Sequence, residues 1–416
     1  MTTALATEPS VATSQPRKVN LRTPEVLEAV QAQVEKHYRS ELVDQLRSRG
    51  GLLSAAGMTV RLAKEFGFCY GVERAIDLAY AARKVFHDRP IYILGEIIHN
   101  PEVNDQIRAM GIKFLSGPNP EARIEDLTSE DVVIIPAFGT EISVMNLLKE
   151  KGCQLVDTTC GDVMSVWKRV RQYASESVTS IIHGKAWHEE TKATSSRALA
   201  ANGNGHYLVV FNLEENDHVC RYIRQGGDKA EFLKKFKGAY SPGFDPDLHL
   251  RAVGVANQTT MLRGETEEVQ RRIRQAIADR DGAGKVPQNF RFFDTICGAT
   301  QDRQDALEKL FAEPLDLLIV IGGYNSSNTC HLAEMGEARM PTYFIRNASK
   351  IVSDKKIVHF SMQKQAEIET AEWFPPGNVT VGVTAGASCP NNLIEETIHR
   401  LLELRGVSAK QLLSQP

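Results

Sequence analysis

Eight short apolar runs, each stopping at a glycine or polar turn and leading into an amphipathic segment, constrain this 416-residue chain most. They read "IYILGE", "VVIIPAFG", "SIIHGK", "YLVVF", "AVGVANQ", "LLIVIGG", "TYFI" and "VTVGVTAG". Continuous β-branched and aliphatic runs interleaved with helical spacing predict buried, mostly parallel strands, an α/β architecture. In such sheets a ligand sits beyond the carboxyl ends of the strands. Function is therefore sought in the residues just after these runs.

A weak internal repeat divides the chain. In "GFCYGVERAIDLAYAARKVF", "VDTTCGDVMSVWKRVRQYA" and "FDTICGATQDRQDALEKLF" an extended stretch ends in Cys, a glycine follows within two residues, and a helix begins. Helical spacing is clear in the first two, through Val72, Ala75, Ile76 and Ala79 and then Val163, Val166, Trp167 and Val170. Cys69, Cys160 and Cys297 thus occupy equivalent turns. The expected organisation is three similar α/β units at 58–159, 160–296 and 297–416, the last closing with a C-terminal helix. The middle unit carries an insertion near 214–246. An N-terminal extension, 1–57, comprises a flexible tail and a helix that starts at Thr23-Pro24 and stops at Gly50-Gly51.

A thiol at the start of a helix lies in the positive end of its dipole, which favours the thiolate as nucleophile or metal ligand. One such cysteine more often means packing. Three at matching turns suit a 4Fe-4S cluster in which one iron lacks a protein ligand, although such clusters ordinarily take four Cys. The remaining Cys153, Cys220, Cys330 and Cys389 are read as packed non-ligands. Seven cysteines without Cys-x-x-Cys spacing argue against zinc ribbons, thioredoxin-like sites and a disulfide framework.

Lys+Arg 49 against Asp+Glu 52, with no basic block, leaves no nucleic-acid footprint. The apolar runs are far below the roughly 20 residues of a membrane helix. No apolar secretory core opens the chain, so the expected location is the cytoplasm, with a plastid address as the lesser alternative.

Neutral polar groups cluster just after the apolar runs: His99-Asn100, His183, His188-Glu189-Glu190, Thr259-Thr260, Tyr324 to Asn328, and Ser388. Beside helix N-termini such side chains donate to phosphate oxygens. Taken singly, each also reads as a helix cap or a solvated face. No Gly-x-x-x-x-Gly-Lys-Ser/Thr sequence is present, so a compact phosphorylated metabolite fits better than a nucleotide triphosphate.

At these residues the chain resembles the 4-hydroxy-3-methylbut-2-enyl diphosphate reductase family, in its long form of cyanobacteria and plastids. The likeness runs from about Val60 to Arg405, through "GFCYGVERAI", "GEIIHNPEV", "DTTCGDV", "HGKAWHEET", "NQTTM", "DTICGATQDRQ", "GGYNSSNT" and "TAGAS". It implies three α/β domains in a pseudo-threefold trefoil around one 4Fe-4S cluster, held by Cys69, Cys160 and Cys297 with one iron open. It implies a diphosphate cradle of His99, His188, Ser326, Asn328 and Ser388, with Asn325 and Ser327 beside them, and a proton-handling pair, Glu190 and Thr259. The implied reaction is reductive dehydration of the allylic diphosphate to isopentenyl and dimethylallyl diphosphate, the last step of the non-mevalonate isoprenoid pathway. The substrate hydroxyl meets the open iron, Glu190 is the proton source, and a ferredoxin or flavodoxin type donor supplies electrons.

The chain departs from the family in places. Ala137-Phe138-Gly139 stands where another branch has Ala-His-Gly, and His183 or Lys185 is the expected substitute. Gly161 follows Cys160 where proline is common. Two other classes fit the cysteines alone: an iron-sulfur sensor without turnover, and a transferase with Cys160 as nucleophile and His188 as base.

Overall fold

The computed structural model describes residues 21, 23–117, 119–199 and 205–407. All but Leu21 of the expected N-terminal tail lies outside them. Every one of the eight apolar runs is a strand. The strands form three sheets.

The first sheet is parallel, in the order Ile112–Phe114, Ile91–Ile93, Val132–Ile135, Gln154–Asp157. The second is also parallel, in the order Phe290–Phe292, Val253–Asn257, Thr179–His183, Tyr207–Val210. The third has eight strands. Its parallel heart runs Met58–Leu62, Val379–Ala385, Leu317–Ile321, Thr342–Ile345. An antiparallel fringe of short strands, Leu52–Ala55 on one edge and three between Ile351 and Ala371 on the other, completes it. The central strands are buried on both faces, which is why they read as unbroken apolar runs.

Sheet membership corrects the expected boundary at residue 58. Met58–Leu62 does not open the first sheet; it pairs with Val379–Ala385 in the third. The equivalence of the cysteines survives in a different form. Each follows the strand one place past the sheet's topological switch point, and the helix it opens packs on the next sheet. The helix Tyr70–Val85 leaves the third sheet and packs its Ala75, Ile76 and Ala79 against the first. Gly161–Ser175 leaves the first and packs Val166 and Val170 against the second, and Gly298–Leu310 leaves the second for the third. The three sheets therefore form a closed cycle with one cysteine at each seam.

Two local expectations also change. The single helix expected over 23–49 is two, Pro24–Tyr38 and Glu41–Ser48, because the Ser40 hydroxyl accepts from Val43 N–H at 2.9 Å and starts a new cap. The start of the supposed insertion is the amphipathic helix Leu213–Gln225, whose Val219, Cys220 and Ile223 enter the core of the second sheet. It is the ordinary crossover between two parallel strands. The addition proper begins with Lys229–Lys235. No helix among the described residues is long and apolar enough to cross a membrane.

Candidate active site

In an open α/β sheet the crevice forms where the strand order reverses, since connections there diverge to opposite faces. Each sheet has one such point. The first reverses between Ile91–Ile93 and Val132–Ile135, whose loops carry His99 and Phe138. In the second, the reversal between Thr179–His183 and Val253–Asn257 brings in Glu190 and Thr259. The third contributes Ser326 to Asn328 and Ser388, from the loops after Leu317–Ile321 and Val379–Ala385. All three crevices open into one cavity of about 520 Å³. The three cysteines, Glu190, Thr259, His99, His188, Ser326, Ser327, Asn328 and Ser388 all line it; Asn325, His183 and Lys185 do not.

The cysteines reach the cavity by one repeated construction. Each N–H donates to a carbonyl in the loop beyond the neighbouring strand: Cys160 to Ala137 at 2.8 Å, Cys297 to Thr259 at 3.2 Å, and Cys69 to Ala387 at 3.2 Å. Each cysteine is the N-cap of its helix. Burial pushes the Cys160 thiol up and the Cys297 thiol up to about 12, so a buried thiolate here needs a cationic partner. Arg303, buried and hydrogen-bonded to Gly67 O and Ala299 O, supplies one nearby positive charge. Cys297 Sγ also accepts from Thr300 N–H at 3.2 Å.

These residues fit an iron-sulfur cluster better than a single ion. Three thiolates on one zinc stand under about 4 Å apart, because each Zn–S bond is about 2.3 Å. The three sulfurs here are not all within 4.8 Å of one another. A Cβ on Gly71 would stand 2.6 Å from Cys160 Sγ and 3.9 Å from Cys69 Sγ, so the missing side chain keeps the space between these thiols clear. Cys153, Cys220, Cys330 and Cys389 are buried and do not line the cavity.

Glu190 and Thr259 meet across the second sheet's crevice. Thr259 N–H donates to Glu190 Oε1 at 2.6 Å, and Thr259 Oγ1 lies 3.0 Å from Glu190 Oε2. Only 3% of Glu190 is exposed. Burial outweighs the Thr259 hydrogen bonds and raises the carboxyl to about 7, so near neutral pH it holds a proton much of the time.

Beside this pair stands a bank of donors. Asn328 Oδ1 accepts from Ala387 N–H at 2.9 Å, which fixes the amide and leaves Nδ2 buried without a partner. Ser327 Oγ is likewise buried and unpaired. Ser326, with its hydroxyl 3.3 Å from that of Ser388, caps the helix Ser327–Glu337, whose N-terminus faces the cavity and favours an anion. Ser388 Oγ donates to His99 O at 3.1 Å and so ties the third sheet to the first. A buried donor without a partner costs about 1–3 kcal/mol, so these groups await an oxygen-rich ligand.

Comparison with known proteins agrees with this arrangement. The family described as LytB protein matches residues 60–402. The chain belongs to the LytB family.

Among curated relatives, the 4-hydroxy-3-methylbut-2-enyl diphosphate reductase of Gloeobacter violaceus is 49% identical over 383 residues, covering 91% of this chain and 90% of the relative. That of Thermosynechococcus vestitus is 46% identical over 382 residues, covering 92% and 93%. The E-1-hydroxy-2-methyl-but-2-enyl-4-diphosphate reductase structure from Plasmodium falciparum shares the fold, with a TM-score of 0.60 at 22% identity over 82% of this chain and 87% of that one.

Against the LytB pattern, the expected substitutes for the missing histidine are not in place. His183 is fully buried, with Nδ1 2.8 Å from Thr266 Oγ1, and burial depresses it to about 4. Lys185 Nζ sits 6.0 Å above the Phe211 ring, and neither residue lines the cavity. Phe138 instead stacks on His99, centroids 4.4 Å apart and planes within 13°. Asn325 turns away from the cavity and donates to Glu96 Oε2 at 2.7 Å.

Glu96 is the residue the sequence reading passed over. It lies three places before His99 in "GEIIHN", and its Oε2 is 2.8 Å from His99 Nδ1. A carboxylate so close upstream of a candidate histidine was the available signal. His99, His188 and Glu189 form the one compact group of possible metal donors among the described residues. His188 Nδ1, however, accepts from Glu190 N–H at 3.1 Å. Its Nε2 therefore carries the proton when the ring is neutral and offers no lone pair to an ion.

Proposed function

We propose that this LytB-family chain converts 4-hydroxy-3-methylbut-2-enyl diphosphate to isopentenyl and dimethylallyl diphosphate by reductive dehydration. The observation that carries this reading is the buried Glu190–Thr259 pair, set in one cavity with three converging thiols and a bank of unpaired donors. A carbon–oxygen bond breaks and the oxygen leaves as water. Two electrons and two protons balance the step, one proton going to the oxygen and one to the allyl carbons. A 4Fe-4S cluster held by Cys69, Cys160 and Cys297 would deliver the electrons singly and offer Lewis acidity at its cysteine-free iron.

The protein's own part is binding and proton delivery. Asn328 Nδ2, Ser327 Oγ and His188 Nε2–H donate to the diphosphate, and the helix Ser327–Glu337 adds the potential of its N-terminus. Glu190, protonated near neutrality, hands Oε2–H to Thr259 Oγ1 across their 3.0 Å contact. Thr259 then turns its own hydroxyl proton toward the substrate oxygen, and Glu190 ends as the carboxylate. Ala137, Phe138 and Ile98 form an apolar wall that keeps bulk water from a basic allyl carbon. A small redox protein of ferredoxin or flavodoxin type would supply electrons from outside.

The test is anaerobic turnover of the allylic diphosphate with a chemical reductant, using cluster-loaded wild type and Glu190→Gln. Wild type should oxidise reductant only in the presence of substrate and release both products. Wild type that forms neither product overturns the reading.

A further inference from the structure

With the 3.2 Å contact of His99 Nε2 and His188 Nε2 taken as a hydrogen bond between neutral imidazoles, one arrangement of protons satisfies it. The backbone N–H of Glu190 donates to His188 Nδ1 at 3.1 Å, so His188 carries its proton on Nε2. That proton faces His99 Nε2, 3.2 Å away, which must then accept it. His99 in turn carries its proton on Nδ1, 2.8 Å from Glu96 Oε2. The chain thus reads Glu96 carboxylate, His99, His188, Glu190 amide. It is complete without a ligand, and His99 Nε2 has no proton for a phosphate oxygen.

An incoming diphosphate breaks this chain, because its oxygens compete for the His188 Nε2–H and present a lone pair to the bare His99 Nε2. His99 becomes a donor on both nitrogens only by taking up a proton. The groups around it determine whether that charge is held. Glu96 lies under Nδ1, and its same oxygen accepts from Asn325 Nδ2 at 2.7 Å, which pins the carboxylate from the third sheet. Phe138 covers one face of the ring and stabilises a cation there. Glu189 Oε2, on an exposed side chain, stands 3.8 Å from His99 Nε2.

We infer that Glu96 is a positioning residue that turns His99 into a doubly donating cation when a diphosphate binds, so that binding takes up a proton from solution. Phe138 holds the ring in register in place of the histidine found there in other members. Asn325, absent from the cavity lining, acts on the substrate through Glu96 and through its own Nδ2, which lies 3.2 Å from His99 Nδ1. Glu189 is a like charge near His99 that weakens diphosphate binding. The inference rests on the diphosphate reading of this site.

Calorimetric titration of anaerobically purified protein with inorganic pyrophosphate, at pH 8 in two buffers of different ionisation enthalpy, tests it. The Glu190→Gln protein is the reference, so that the buried carboxyl does not contribute protons. Adding Glu96→Gln should cut the proton uptake by nearly one per site and weaken binding about tenfold; Glu96→Asp should restore much of the uptake. Glu189→Gln should tighten binding by a few-fold. In turnover, Glu96→Gln alone should raise KM about tenfold and change kcat less than threefold. Proton uptake and affinity that stay equal when Glu96→Gln is added to the reference overturn the inference alone. Failure of the reference and wild-type proteins to bind pyrophosphate removes the diphosphate reading and this inference together.

Discussion

The two ends of the cavity are built by opposite rules. At the donor end every sheet contributes residues from its two switch-point loops, and most polar groups already find partners in one another. His99, His188, Ser326 and Ser388 are linked within hydrogen-bond distance. At the sulfur end each sheet contributes a single cysteine from the strand beyond the switch point, and burial pushes the Cys160 and Cys297 thiols up. A pre-linked network tolerates an empty site and is rearranged by its ligand. A set of separated thiols gains its stability from the group that joins them.

The sharpest way to break this contrast is to remove a thiol. Cys160→Ser should lose the broad visible absorption of anaerobically purified protein and at least about 100-fold in turnover, the upper end of what losing even an outer-shell partner costs a metal site. Iron and sulfide analysis checks it; a protein that keeps its colour and only raises KM would make the two ends alike. Glu190→Gln should lower kcat by about 10²–10⁴ with KM little changed, since it removes an acid and leaves the donors in place. Wild-type kcat should fall as pH rises through about 7, where Glu190 loses its proton, and the variant should lack that limb.

The same carboxyl has a stability signature. Its folded-state proton affinity is raised, so between about 4.5 and 7 folding takes up a proton and this contribution to stability declines with rising pH. His188, depressed by burial, contributes with the opposite sign below about 6.5. Chemical denaturation of Glu190→Gln across this window should show stability rising with pH more than in wild type.

Smaller effects belong to the donor end. Asn328→Asp keeps the acceptor for Ala387 N–H but turns a carboxylate oxygen to the cavity, and like charge should raise KM roughly 10- to 100-fold with the colour retained. Phe138→Leu removes only the aromatic face beneath His99, a loss of about 0.5–1 kcal/mol, and should raise KM roughly two- to five-fold. A colourless Asn328→Asp protein would show that the ends are not independent.

The strands buried on both faces were legible because each carries an unbroken run of aliphatic or small residues with at most a few polar ones. Those missed were short, such as Ile112–Phe114 and Phe290–Phe292, or half-exposed, such as Ala366–Ala371. The site residues were visible through their position at strand ends. What the sequence could not reveal was partnership across distance: that Phe138 lies on His99, that Asn325 serves Glu96, and that Met58–Leu62 pairs with a strand more than 300 residues later. His183 failed as a cradle residue because a strand-end position does not settle which face its side chain takes. Its ring hydrogen-bonds to Thr266 on a neighbouring helix.

Met58–Leu62 also dictates when the molecule can be finished. Cys69 owes its position to the carbonyl of Ala387 and to a strand that lies between Leu52–Ala55 and Val379–Ala385. On the ribosome the first two sheets can assemble as they emerge, but the seam carrying the first-made cysteine stays open until Val379–Ala385 is translated. The pairing spans most of the chain and is correspondingly slow to form. A ring that closes only when Val379–Ala385 meets Met58–Leu62 leaves any chain cut short of that strand with two seams of the three, and so links acquisition of the third thiol to the arrival of that strand.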